Sequence, residues 1–215
     1  LYQAAVRQVD ASVGRLLETL SDSGIHDETA VVLAGDHGEE FQEHGHLAHY
    51  PKLYDELIRV PLIVDVPGTA SRRIEQQVAL DSIPPTVADL FGVESPDEWR
   101  GKTLAPTVFD GSSPSDDPVV SVAVRGEEVT TQPIPRSLED GDLLVSVRDR
   151  DWTYIRNVDE GSDELYHRTG DPTQQTDLST GRTEEERGIT DRFGSLVDEH
   201  VGLLRSQDDD GSTSS

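Results

Sequence analysis

The sequence predicts an α/β fold whose last part is a small antiparallel sheet with a closing helix. Three observations carry this. A helix-periodic segment leads through a turn into an apolar run, and a second apolar run leads into another helical segment. Beyond residue 118, short strand-like runs separated by polar turns replace that rhythm.

Between Tyr2 and Leu20, the residues Val6, Val9, Val13, Leu16, Leu17 and Leu20 recur at three- and four-residue steps, the stripe of an amphipathic helix. Ser21-Asp22-Ser23-Gly24 ends it. Residues 29–34 then read as a strand whose nearly continuous apolar character suits burial on both faces. Residues 60–66 repeat that pattern, with Pro61 tolerable at a strand's start or edge and Pro67-Gly68 closing it. Ser82 stands as an N-cap before Pro84 and Pro85, and the helix runs through Val87, Leu90 and Phe91 to Gly92.

Residues 110–118, rich in Gly, Ser, Pro and Asp, read as a loop or linker. Residues 119–124, 143–147 and 152–158 read as strands, the last two joined by a tight polar turn at 148–151. Thr183 and Glu186 have capping-box spacing, and Ile189, Phe193, Leu196, Val197, Val201 and Leu204 give the closing helix its apolar face. Three segments are therefore expected: 1–110, an α/β portion; 111–205, a small α+β subdomain; and 206–215, an aperiodic polar tail expected to be disordered.

Composition limits the function classes. A balance of 18 Lys+Arg against 43 Asp+Glu gives a net charge of −25, which argues against nucleic-acid or anionic-membrane binding through a broad basic face. Lys52 and Lys102 are the lysines, the other basic residues being arginines, a habit suited to concentrated salt and read as halophilic. The absence of cysteine excludes disulfides, thiolate metal sites and a cysteine nucleophile within these residues. No run approaches the roughly 18 to 20 apolar residues of a membrane span, and no signal-peptide pattern opens the chain. The compartment is unknown, cytoplasmic by default, and the oligomeric state is unknown. The opening residue, Leu1, already reads as helical, so an upstream N-terminus is expected.

The chemistry gathers after the first strand. Gly35-Asp36-His37-Gly38 places a carboxylate and an imidazole at a strand's carboxyl end, where ligands of open α/β sheets collect. Asp36 and His37 can share one metal if the backbone turns sharply between them, and Gly38 permits that turn. The other reading is a loop that merely caps the next segment. His44, His46 and His49 could donate protons, contact phosphate or sulfate oxygens, or ligate a metal, or could be surface histidines. A zinc site built from all three is conceivable, though no HExxH arrangement is present. Lys52 is a candidate to neutralise a substrate anion, or an ordinary exposed lysine. Glu39 and Glu40 could orient His37 or face solvent.

These residues carry a family resemblance. Gly35-Asp36-His37-Gly38-Glu39, then Glu43-His44-Gly45, then Leu53-Tyr54-Asp55-Glu56-Leu57-Ile58-Arg59-Val60-Pro61-Leu62-Ile63-Val64 resembles the second half of a sulfatase catalytic domain. The helix from Val78 to Gly92, the Gly101-Lys102-Thr103-Leu104 segment, Trp152-Thr153-Tyr154-Ile155, Glu164-Leu165-Tyr166, Asp171-Pro172 and Asp177-Leu178 match that family in order. The match runs from Tyr2 to about Leu178.

The resemblance implies an alkaline-phosphatase-like mixed sheet flanked by helices. It makes 1–110 the C-terminal portion of a catalytic domain, of haloarchaeal type. It further implies a divalent metal, most often Ca2+ with Mg2+ or Mn2+ possible, held by Asp36 and His37. His49 and Lys52 become the catalytic candidates, because the family often places a sulfate-binding lysine near His49. The expected substrate is a small-molecule or glycan sulfate ester. The family's nucleophile is a formylglycine matured from a Cys/Ser-x-Pro-x-Arg motif, and no such motif occurs here; Ser82-Ile83-Pro84-Pro85 lacks the arginine. A formylglycine is therefore expected upstream, and the piece alone is expected to be inactive. Two other readings stand: a phosphodiester or phosphonate hydrolase or phosphoryl-headgroup transferase of the same superfamily, and an inactive truncated binding paralogue.

Overall fold

A computed structural model describes residues 1–126, 138 and 141–212. In chain order, α1 (Tyr2–Asp22) is followed by β1 (Val31–Ala34), β2 (Glu40–Phe41), β3 (Leu47–Ala48), the short α2 (Asp55–Ile58) and β4 (Leu62–Asp65). Then come α3 (Ile83–Leu90), α4 (Ala105–Asp110), β5 (Val119–Arg125), β6 (Asp142–Arg148), β7 (Trp152–Asn157), β8 (Asp163–His167) and α5 (Glu184–Ser212). This is the expected α/β architecture with its small antiparallel sheet and closing helix.

The chain divides into two compact units. The first comprises Leu1–Gly35, Pro61–Ile74 and Asp81–Ser113; the second comprises Asp36–Val60, Glu75–Leu80 and Pro114–Ser215. The segment bearing Asp36 and His37 belongs to the second unit.

In the first unit, β1 pairs antiparallel with β4, from Val31 opposite Asp65 to Ala34 opposite Leu62. The apolar composition of these strands suggested burial on both faces, yet Leu33 and Ile63 are exposed and α1 has no buried residue. An apolar run records a capacity for burial; burial itself needs an element packed on each face. Ser82 occupies the N-cap position of α3, but its side chain makes no capping bond. Its carbonyl instead accepts the Thr86 hydroxyl at 2.6 Å, and Thr86 Oγ1 accepts the Leu104 amide at 2.8 Å. The added helix α4 ends on Gly111, left-handed at φ 73°.

In the second unit, β5, β6, β7 and β8 form an antiparallel sheet in sequence order. β8 supplies a fourth strand beyond the three read from alternation. The period-two geometry of strands sorts β6 onto two faces. Leu143, Val145 and Val147 pack with Tyr154 and Leu165 against Phe193, Val197 and Val201 of α5. Leu144 packs on the other side with Ile155, Tyr166 and Leu53. The sheet is thus covered by α5 and by the 36–60 segment, which explains where that segment folds.

The capping box forms as read: Thr183 N donates to Glu186 Oε2 at 2.6 Å and Glu186 N to Thr183 Oγ1 at 3.2 Å. The helix it starts continues to Ser212, past Ser206, where the sequence placed the start of an unstructured tail. Residues 213–215 of that expected tail lie outside the described residues. No described helix is long and apolar enough to cross a membrane.

Candidate metal and anion site

The Asp36 turn is built from bonds that span one residue. Asp36 Oδ1 accepts the backbone N–H of His37 at 2.9 Å. That bond, a second from its own amide and the nearby His37 imidazole hold the Asp36 carboxyl below its ordinary range, so it stays an oxygen donor. His37 Nδ1 lies 2.9 Å from the Gly38 carbonyl, a group that can only accept, so Nδ1 carries the hydrogen. In the neutral ring the lone pair then falls on Nε2, which lies 3.8 Å from Asp36 Oδ2. Metal-bound histidines are oriented in this way, with the other ring nitrogen donating to a carbonyl. A carboxylate oxygen and an imidazole nitrogen side by side can serve a divalent cation as two of its donors, the carboxylate suiting hard ions and the imidazole softer ones. Among the described residues, no group of three or more His, Asp or Glu is gathered to hold a metal.

Gly38 serves this turn by close approach. Its N–H donates to the Leu57 carbonyl at 2.7 Å, Glu39 N donates to the Glu56 carbonyl at 3.0 Å, and the Glu56 carbonyl fills the space a Cβ would take. Residues 38 and 39 are thereby laid along α2.

The three later histidines separate. His49 joins His37, with ring centroids 4.5 Å apart, and its Nδ1 lies 3.4 Å from Glu39 Oε1. His46 stacks on Tyr50 at 4.8 Å. His44 turns inward: Nδ1 lies 2.5 Å from Glu56 Oε1, Nε2 lies 2.8 Å from the Gln174 carbonyl, and the ring stacks on Tyr54 at 3.6 Å. Tyr54 and Tyr166 both donate to Glu164 Oε2, and burial beside that carboxylate pushes both phenols up.

Lys52 is held in a buried ion pair. Its ammonium donates to both oxygens of Glu40, at 3.1 and 3.0 Å, and to the His44 carbonyl at 2.7 Å, which uses all three hydrogens. Glu40 has no exposed surface, and its Oε1 also accepts the His44 and His46 amides at 3.0 and 2.8 Å. Burial disfavours the Glu40 carboxylate, but the His46 amide and Lys52 outweigh it and hold the group below its ordinary value. The sequence leaves Glu40 between orienting His37 and facing solvent, and Lys52 between neutralising a substrate anion and standing exposed. The scarcity of lysine was the one signal that could have marked this pair; nothing local marked Glu56 or Gln174.

A family model described as Sulfatase matches residues 1–93. The chain is 27% identical to a Delta 4,5-hexuronate-2-O-sulfatase of Bacteroides thetaiotaomicron, over 97% of this chain and 41% of that protein. It is 25% identical to Arylsulfatase K of Xenopus laevis, over 92% of this chain and 36% of that protein. A solved 2-O GAG sulfatase superposes with a TM-score of 0.72 at 26% identity, covering 95% of this chain and 42% of the other. The chain therefore spans about two fifths of the length of these three relatives.

Proposed function

We propose, on the premise that residues 1–93 are a sulfatase-family segment, that this chain supplies one side of a metal-dependent site that hydrolyses sulfate esters. The observation that carries the reading is the His37 ring, whose Nδ1 is tied to the Gly38 carbonyl while Nε2 stands beside Asp36 Oδ2. Asp36 and His37 would hold the divalent cation, which when bound supplies Lewis-acid polarisation of the ester and stabilises developing oxyanion charge. Ca2+ is the ion this reading expects, with Mg2+ or Mn2+ as alternatives.

His49 is the anion-facing group of this reading. It lies against His37 and keeps an exposed ring, with Glu39 orienting it. Lys52 braces the loop through Glu40 instead of reaching a substrate. The substrate class is a sulfated sugar, in keeping with one relative's name, Delta 4,5-hexuronate-2-O-sulfatase. The nucleophile of this reading is a formylglycine outside residues 1–215.

The deciding assay measures aryl sulfate and aryl phosphate turnover in molar salt, by residues 1–215 alone and joined to whatever coding sequence precedes Leu1. The expected outcome is sulfate turnover by the joined protein, none by residues 1–215, and loss of activity on Asp36→Ala. Turnover by residues 1–215 alone would overturn the placement of the nucleophile. The exposed histidine at position 49 favours a second reading, phosphate-ester hydrolysis, and preferential aryl phosphate turnover would establish it.

A further inference from the structure

Gln174 is 1% exposed, yet its backbone sits at φ 53°, in the left-handed region that glycine occupies without strain. A non-glycine persists there when its surroundings over-determine it. Here the surroundings can be named. Gln174 Oε1 accepts the Asp55 amide at 2.7 Å, at the start of α2, and its carbonyl lies 2.8 Å from His44 Nε2. Gln175 Nε2 donates to the Glu43 carbonyl at 3.1 Å. One turn thus reaches the 36–60 segment at residues 43, 44 and 55.

The direction of the His44 bond follows from counting hydrogens. Gln175 Nε2 lies 3.3 Å from His44 Nε2, but its two hydrogens are directed at the Glu43 and Thr173 carbonyls. His44 Nε2 therefore donates to the Gln174 carbonyl, and Nδ1 shares a hydrogen with the Glu56 carboxyl. Both ring nitrogens are fixed, Tyr54 lies against one ring face, and Lys52 holds the His44 carbonyl. The other non-glycine residues described at positive φ, Gln42 at 78° and Ala48 at 73°, lie in the same segment. Among the described residues, the non-glycine positions with positive φ are confined to this loop and its anchor.

We propose that Gln174 is a positioning residue: it fixes the 43–56 stretch, and through it the loop that presents Asp36, His37 and His49, so that cation binding at Asp36 and His37 depends on this distant turn. The proposal rests on the Asp-His reading given above.

The test titrates Mn2+ alone into residues 1–215 in molar KCl and follows broadening of the His37 ring signals by NMR, with hydrogen exchange at the His44 and His46 amides. Gln174→Gly is the informative variant, because glycine is at ease at this φ and the backbone carbonyl to His44 is kept. It should retain the far-UV circular dichroism, lose protection at the two amides and weaken Mn2+ binding about tenfold, as losses of groups that orient metal ligands do. Phe193→Leu, in the α5 core, should lower the melting temperature yet leave Mn2+ affinity within about twofold, since distant sites act independently. Wild-type Mn2+ binding by folded Gln174→Gly, or equal weakening by Phe193→Leu, would overturn the proposal. Asp36→Ala separates the two ideas. If it leaves Mn2+ binding unchanged, the metal reading falls, and retained amide protection in Gln174→Gly then overturns the positioning role as well.

Discussion

Lys52 Nζ stands 3.0 Å from Glu40 Oε2, and that carboxylate has no exposed surface. Removing one partner of such a pair leaves a buried charge unanswered, which costs about 3–5 kcal/mol. Lys52→Met should therefore lower the urea unfolding free energy by about that much, and Lys52→Met combined with Glu40→Gln should recover a large part of it. A stable Lys52→Met protein would return Lys52 to the list of substrate contacts.

The same pair fixes a pH dependence. Burial pushes the Glu40 carboxyl up, but the His46 amide and Lys52 more than offset this, so the folded value lies below the ordinary 4.5. A depressed carboxyl contributes stability that is present above the unfolded value and lost as pH falls through the folded value. Wild-type stability should thus fall more steeply than that of Glu40→Gln below about pH 4.5, as followed by unfolding across the acid range. Parallel curves would show that the fold does not depress the Glu40 carboxyl, and a wild type that gained stability relative to Glu40→Gln as pH fell would show that it is protonated in the fold.

Gly38 has no room for a side chain, because the Glu56 carbonyl fills that position. Gly38→Ala must push the Asp36 turn away from α2, at a cost of about 1–3 kcal/mol typical of overpacking. The expected signs are a lower melting temperature, displaced His37 ring signals and weaker Mn2+ binding. Unchanged His37 signals would mean that the turn does not depend on this contact.

A net charge of −25 imposes self-repulsion on the compact state, which salt screens within about 8 Å at physiological ionic strength and within about 3 Å at 1 M. The melting temperature is therefore expected to rise as KCl increases from about 0.1 M to about 2 M. A flat or falling dependence, measured by circular dichroism, would remove the halophilic reading.

Much of the fold was legible because its signals are local. The stripe of α1, the apolar runs of β1 and β4, the Gly92 stop and the Thr183/Glu186 box are each contained within a turn or two of chain. The pairing of His49 with His37 could be suspected from clustering alone. The inward turn of His44 could not, because its partners are Glu56 and the carbonyl of Gln174, 130 residues away. Glu40 and Glu39 are neighbours of the same type with opposite fates, and nothing in their order says which is buried. The rarity of lysine showed that position 52 mattered without showing what it faces.

Residues 35–38 place a carboxylate and an imidazole side by side through bonds between adjacent residues, Asp36 Oδ1 to His37 N and His37 Nδ1 to Gly38 O, while the contact of Gly38 with the Glu56 carbonyl ties that turn to α2. Tertiary packing assigned the remaining roles. The four-stranded sheet buries Leu53 on one face and presents Gln174 to α2 and His44. That arrangement drew Lys52 and Glu40 into an internal pair and left His49 beside His37. Those outcomes depend on which surfaces are desolvated together, and a burial that joins residues more than a hundred positions apart leaves no periodicity or spacing in the chain.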